Sequence, residues 1–226
     1  MTYATRLSWS GAVEIVTPRF VVGCDLAQSS DYTAFSFIEV TGDPAVYAVR
    51  HLDRFRGEPY TAVARKLAGL VDRLLAQAPR PNVEVVVDAT GVGAAALDVM
   101  REANINAPLI PVLIHGGDRV SAEGGTYRVP KRDLIAAVQV AMEAKRLKIN
   151  PDFPLASVLT DELAMFRKKT TKTGHDSYES WRDDDHDDAV LSVSLAVWWG
   201  EHRQGARFEN VHDHPLLVAA LMELGV

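Results

Sequence analysis

Two short apolar runs constrain this chain most: RFVVGCDLA at residues 19–27 and VEVVVDATGVG at residues 83–93, each carrying an aspartate where the apolar part ends. Runs of this length, rich in valine and closed by turn residues, read as central strands of a sheet. Asp25 and Asp88 then stand at two strand ends. If the strands are parallel neighbours, the carboxylates lie close together at the sheet edge where open α/β folds place their sites. Each alone also suits a turn or cap, because aspartate readily bonds nearby backbone N–H groups.

The remaining pattern fills in the sheet. DYTAFSFIEV (31–40) and AVYAVRHLDRF (45–55) are β-rich and separated by the turn signal TGDP, which with the first run predicts a three-stranded antiparallel meander. Residues 58–77 carry Val63, Leu67, Leu70, Val71, Leu74 and Leu75 at helical spacing before APRPN stops the helix. The glycines after Asp88 open a helix over about residues 94–103, and PLIPVLI (108–114) reads as a further strand. The expected fold is α/β: a mixed sheet of about five strands, the meander plus two parallel strands, flanked by helices. Beyond residue 130, PKRDLIAAVQVAMEAKRLKI and FPLASVLTDELAMFR both carry helical stripes, and KKTTKTGHDSYESWR alternates around a Thr-Gly turn like a hairpin.

A last helix begins near His186. Its residues Ala189, Val190, Leu191, Val193, Leu195, Ala196, Val197 and Trp198 are apolar nearly all round, as a helix packed against a sheet requires. Immediately before it, five aspartates and His186 occupy positions 183–188. One or two aspartates cap a helix and complement its dipole. Five crowded carboxylates repel one another unless they are splayed into solvent or some share a cation. If this helix starts beside the two strand ends, Asp187 or Asp188 joins Asp25 and Asp88 in a set of hard oxygen ligands of the kind that holds Mg²⁺ or Mn²⁺. Successive helical residues point about 100° apart, so the two aspartates cannot face the strands equally. Asp188, in line with the small residues Ser192 and Ala196, is the preferred ligand, with Asp187 auxiliary or a cap.

Composition limits the alternatives. The chain has 226 residues and 47% hydrophobic content, enough for a substantial core. No apolar run reaches the roughly 18 residues of a membrane span and the N-terminus lacks signal-peptide character, so a cytoplasmic protein without a membrane partner is expected. The single cysteine, Cys24, excludes an internal disulfide or a cysteine-based zinc site and reads as a small core residue. A net charge of −6 argues against nucleic-acid binding by bulk electrostatics, but residues 119–172 hold eleven Lys and Arg against six Asp and Glu. Lys131, Arg132, Arg167, Lys168, Lys169 and Lys172 are candidates for a phosphate-binding rim; a solvated basic face is the plain alternative.

The ordered set GCDLAQSSDYTAFSF, VVVDATGVG, GHDSYESWR and HDDAVLSVSLAVWW resembles the nuclease domain of the large terminase subunit of tailed bacteriophages, a ribonuclease H-like fold. The resemblance implies a ribonuclease H-like nuclease domain over residues 19–200, between an N-terminal extension at 1–18 and a C-terminal tail with a short helix at 201–226. It implies a metal-binding triad of Asp25, Asp88 and one of Asp187 and Asp188, with Asp31 an auxiliary acid and His186 orienting a ligand or capping the turn. The activity implied is cleavage of double-stranded DNA during genome packaging by two Mg²⁺ or Mn²⁺ ions, about 3.5–4 Å apart, that activate water and stabilise the leaving oxygen. Implied partners are a terminase ATPase domain or subunit, the small terminase subunit and the portal, at the procapsid in the host cytoplasm. Nothing matches the phosphate-binding G-x-x-x-x-G-K-[ST] pattern, so this chain is expected not to translocate DNA by itself.

Three other readings stand beside it. A Holliday-junction resolvase shares the fold and the metal chemistry. The GCDLAQSSDYTAF hairpin and DATGVG loop also suit an actin-like or sugar-kinase phosphotransferase, although those proteins usually duplicate the fold. A noncatalytic docking domain is disfavoured by the acids at all three positions.

Overall fold

The computed structural model describes residues 5–7, 13–15, 17–27, 31–77, 80–91, 93–172 and 187–211, and the side chains of 17–27, 31–77, 80–91, 95–165 and 187–203. Strands β1 (Thr5–Leu7) and β2 (Val13–Ile15) pair antiparallel as a separate ribbon. The main body then runs β3 (Arg19–Asp25), β4 (Tyr32–Thr41), β5 (Val46–Arg56), α1 (Tyr60–Leu75), β6 (Asn82–Asp88), α2 (Gly93–Glu102) and β7 (Leu109–His115). It continues through β8 (Ser121–Glu123), β9 (Thr126–Pro130), α3 (Lys131–Glu143), β10 (Leu147–Ile149), α4 (Ala156–Lys172) and α5 (Asp188–Val211).

Among the described residues the main sheet has eight strands, not about five, in the order β10-β5-β4-β3-β6-β7-β9-β8. The expected antiparallel meander β3-β4-β5 and the parallel strands β6 and β7 form its centre. The additional strands lie at the two margins, where a ladder needs little apolar periodicity. Strand β8 is wholly exposed, and β10 is three residues long and joins the outside of β5 in parallel.

The helix expected over residues 130–149 stops at Glu143 for a local reason. Lys145 adopts φ 55°. Its N–H donates to the Met142 carbonyl and the Arg146 N–H to the Ala141 carbonyl, the paired bonds of a Schellman cap. The usual signal is glycine at the left-handed position, and a lysine there conceals the stop. The hairpin expected across residues 168–182 begins inside α4, which stays helical through Lys172; the remainder of that segment lies outside the described residues. Helix α5 continues past Gly200 to Val211, while HPLLVAALMELGV lies outside the described residues.

Strand alternation sorts the side chains onto two cores. Phe20, Val22 and Cys24 of β3 join Val83, Val85 and Val87 of β6 beneath α1 and α2. On the opposite face Val21 and Val86 pack with α3, α4 and α5. Cys24 is a buried free thiol in the first of these cores, as its apolar context requires. Helix α5 is buried on almost every side from Asp188 to Gly200, and it sits tightly on the sheet at two glycines. At its far end Gly200 meets the Tyr47 ring, and Tyr47 donates to Glu201 Oε1 at 2.8 Å while Arg146 pairs with the same carboxylate.

Candidate active site

Asp25 and Asp88 are the last residues of β3 and β6. The strands pair in parallel through Cys24 and Val87, which sets the two aspartates side by side at one end of the sheet. Both share parity with Val21 and Val86, so both face α5. Helix α5 starts at Asp188, and its first turn lies over the end of β3 because Gly23 leaves room for the Ser192 carbonyl. Three separate elements thus bring Asp25, Asp88, Asp187 and Asp188 together.

Electrostatics records the proximity. Burial pushes the Asp25 carboxyl well above the ordinary carboxylate range, with further increments from the charges of Asp88, Asp188 and Asp187, and Lys131 opposing. Asp88 is raised by burial and held down by Thr90, whose N–H donates to Asp88 Oδ1 at 2.8 Å, and by Lys131. Like charges in a poorly solvated site make the ionised forms costly, which a cation offsets.

Two bases supply counter-charge. Lys131, the first residue of α3, follows directly from β9 and reaches Asp187 Oδ2 at 3.3 Å. Arg54 of β5 donates to Asp188 Oδ2 at 2.9 Å and lies 3.7 Å from Glu162 of α4. Its guanidinium also covers the Tyr32 ring, 4.1 Å from the centroid. Glu162 in turn accepts the Val190 N–H in the first turn of α5 at 3.0 Å. Burial raises Glu162 to about 7, with Val190 and Arg54 lowering it and Asp188 and Asp187 raising it.

Arg54 faces the site because β5 is bulged. Phe37 pairs with His51 but Ile38 pairs with Val49, leaving Arg50 as an extra residue. The odd-numbered Tyr47 and Val49 face α5 before the bulge, and Leu52 and Arg54 face it after. An insertion of one residue reverses strand facing, and bulges beside sites re-aim side chains in this way.

Of the other candidates, Asp31 is exposed in the bend just before β4. Arg132 turns to Asp118 at 2.6 Å and Asp133 at 3.6 Å. Arg167, Lys168, Lys169 and Lys172 lie on α4 with side chains outside the described set, and His186 is outside the described residues altogether. Sequence reasoning missed Gly23, Arg54 and Glu162. Only Gly23 carried a local signal, as a glycine inside an otherwise branched strand.

The acids are all oxygen donors of the kind that hard divalent cations take, and their mutual repulsion is what such a cation relieves. Among the described residues no three of them stand as a finished metal cage, and Lys131 and Arg54 are drawn against two of the carboxylates.

The sheet and its flanking helices define the class of fold: a ribonuclease H-like α/β domain. Its relatives narrow the comparison. The chain is 25% identical over 197 residues to the terminase large subunit of Thermus phage G20c, matching 87% of this chain and 35% of that protein. It therefore spans about a third of the length of the curated relatives it matches. The crystal structure of the large terminase nuclease from thermophilic phage G20c with bound zinc aligns with a TM-score of 0.51 at 22% identity, covering 79% of this chain and 80% of that one. The manganese-soaked human cytomegalovirus terminase nuclease domain aligns with a TM-score of 0.52 at 15% identity, covering 79% and 83%. No protein-family model matches the sequence. In sequence and in fold, the chain is similar to the nuclease domain of large terminase subunits.

Proposed function

We propose that this chain is a metal-dependent endonuclease that cleaves double-stranded DNA during phage genome packaging. The observation that carries the reading is the convergence of Asp25, Asp88, Asp187 and Asp188 from three elements onto one sheet end, where burial opposes ionisation of Asp25 and Asp88 and the charges of the other three add to it at Asp25. The relatives named terminase large subunits give that acid cluster its context.

In this reading Asp25, Asp88 and Asp188 hold two Mg²⁺ or Mn²⁺ ions, with Asp187 as a further oxygen donor. Bound by these residues, such ions would supply an activated water and stabilise charge developing on the leaving oxygen. The carboxylates act as ligands and not as nucleophiles. Thr90 keeps the Asp88 carboxylate from rotating by donating its N–H. Lys131, beside Asp187, offsets negative charge when a phosphate enters an acidic centre. Asp31 and His186 are auxiliary. Arg132, Arg167, Lys168, Lys169 and Lys172 form the rim that meets the DNA backbone.

The nuclease unit is assigned to residues 19–200, between the segments 1–18 and 201–226. Because this chain spans 35% of its G20c relative, its work is proposed to involve a terminase ATPase domain or subunit, the small terminase subunit and the portal, in the host cytoplasm at the procapsid. Among the described residues no helix is long and apolar enough to cross a membrane.

The test is incubation of the purified chain with supercoiled plasmid and with ATP, each with and without Mg²⁺ or Mn²⁺. Nicked or linear DNA only in the metal-containing reactions supports the reading. ATP turnover without DNA cleavage would overturn it in favour of a phosphotransferase.

A further inference from the structure

Arg54 and Glu162 form a buried pair that the acid cluster does not require for its own ligands. Their nearest approach is 3.7 Å, beyond hydrogen-bond range, and Arg54 Nε and Glu162 Oε1 are buried with no hydrogen-bond partner among the described residues. A buried ion pair so incompletely satisfied is a poor source of stability, because desolvating both charges costs about as much as their attraction returns. Each partner has a better-made contact with α5. Glu162 Oε2 accepts the Val190 N–H at 3.0 Å, and Arg54 donates to Asp188 Oδ2 at 2.9 Å.

We propose that Arg54 and Glu162 are positioning residues for Asp188, an inference that rests on the nuclease reading above. Glu162 takes one of the backbone N–H groups that the first turn of a helix leaves unpaired, and so fixes where α5 begins. Arg54 grips one oxygen of the first side chain of that helix and sets the rotation of its carboxylate. The Tyr32 ring lies against the guanidinium, its centroid 4.1 Å from Arg54 Cζ, and gives Arg54 a further contact. The β5 bulge that turns Arg54 inward belongs to the same device. Partners one layer behind a ligand set act in this way generally, orienting the ligand and tuning its charge.

A mere counter-charge and a positioning residue predict opposite results. Removing a positive charge that only competes with cations leaves the carboxylates freer to bind them, and cleavage at limiting metal rises. Removing a residue that orients Asp188 lowers turnover even at saturating metal.

The experiment measures plasmid cleavage across a Mn²⁺ titration for the wild type, Arg54→Ala, Arg54→Lys and Glu162→Gln, with hydrogen exchange of the Val190 amide followed in the wild type, Glu162→Gln and Glu162→Ala. Arg54→Ala should lose about tenfold or more in kcat at saturating Mn²⁺ with little change in KM for DNA, and Arg54→Lys should recover part of it. Glu162→Gln keeps an acceptor oxygen and should leave Val190 protected, whereas Glu162→Ala should speed its exchange by about tenfold or more. Unchanged or increased kcat in Arg54→Ala overturns the role of Arg54; if that variant does not fold, wild-type kcat in Arg54→Lys does so. Unchanged Val190 exchange in Glu162→Ala overturns the role of Glu162. A wild type without metal-dependent cleavage refutes the nuclease reading, and the role of Arg54 with it. The exchange measurement then still decides whether Glu162 fixes α5.

Discussion

Gly23 of β3 lies directly beneath Ser192 of α5: a Cβ built on Gly23 would stand 1.8 Å from the Ser192 carbonyl oxygen. The helix therefore rests on bare strand backbone, two residues before Asp25 and one turn after Asp188. This contact links the packing of the domain to the assembly of its acids.

Substituting Gly23 by alanine should push α5 off the sheet, because the obstructing atoms are backbone and cannot rotate away. The expected loss is about 1–3 kcal/mol or more. Urea unfolding measures it, and a parallel fall in cleavage is expected because Asp188 moves with the helix. A variant as stable as wild type would mean that the helix shifts at little cost.

Asp25→Asn and Asp88→Asn each keep the side-chain shape and remove a charge. Both should abolish metal-dependent cleavage while the metal-free fold stays intact. Because burial and the neighbouring carboxylates oppose ionisation of Asp25, Asp25→Asn should also hold or raise the metal-free melting temperature. Full activity in either variant would remove that residue from the proposed ligand set.

Asp188 is buried and gripped by Arg54, whereas Asp187 is partly exposed and paired with Lys131. Asp188→Asn should therefore reduce cleavage by about tenfold more than Asp187→Asn, equivalent to roughly 1.4 kcal/mol of transition-state stabilisation. Equal losses would indicate a shared role, and the reverse order would exchange the two assignments.

Stability of the metal-free protein should fall as pH rises through the range in which Glu162 titrates. Its carboxyl is raised from 4.5 to about 7, and Asp25 and Asp88 are raised as well, all chiefly by burial. Each group binds its proton more tightly folded than unfolded, so the folded state carries the excess of protons between these values. The Glu162 contribution is fully present below pH 4.5 and lost on passing about pH 7. It amounts to about 3 kcal/mol. In chelator, the urea midpoint should be higher at pH 5 than at pH 7.5, and Glu162→Gln should narrow the gap. A midpoint that rises over this interval would contradict the burial of these acids.

Saturating Mn²⁺ or Mg²⁺ should raise the melting temperature at pH 7.5 by an amount that grows with metal concentration, since a cation bound only to the folded state stabilises it by mass action. The same titration on Asp25→Asn should be nearly flat. An equal shift in both proteins would place the cation elsewhere.

By itself the sequence determined the central strands, the helices α1, α2 and α5, and the aspartates at the ends of β3 and β6 and the start of α5. Those features are written in local periodicity: unbroken apolar runs, helical stripes, and aspartate where a run stops. The tertiary structure alone decided the marginal strands, the close seat of α5 on Gly23, and the presence of Arg54 and Glu162 beside Asp188. Arg54 faces the acids only because the pairing of β5 with β4 slips by one residue at Arg50, and that slip is a property of two strands together. Glu162 arrives on a helix more than twenty residues away in sequence, touching Val190 only after α4 and α5 have packed on the same face of the sheet. Neither contact has a counterpart within any short window of the chain, because register and helix docking are set by long-range burial and not by local preference.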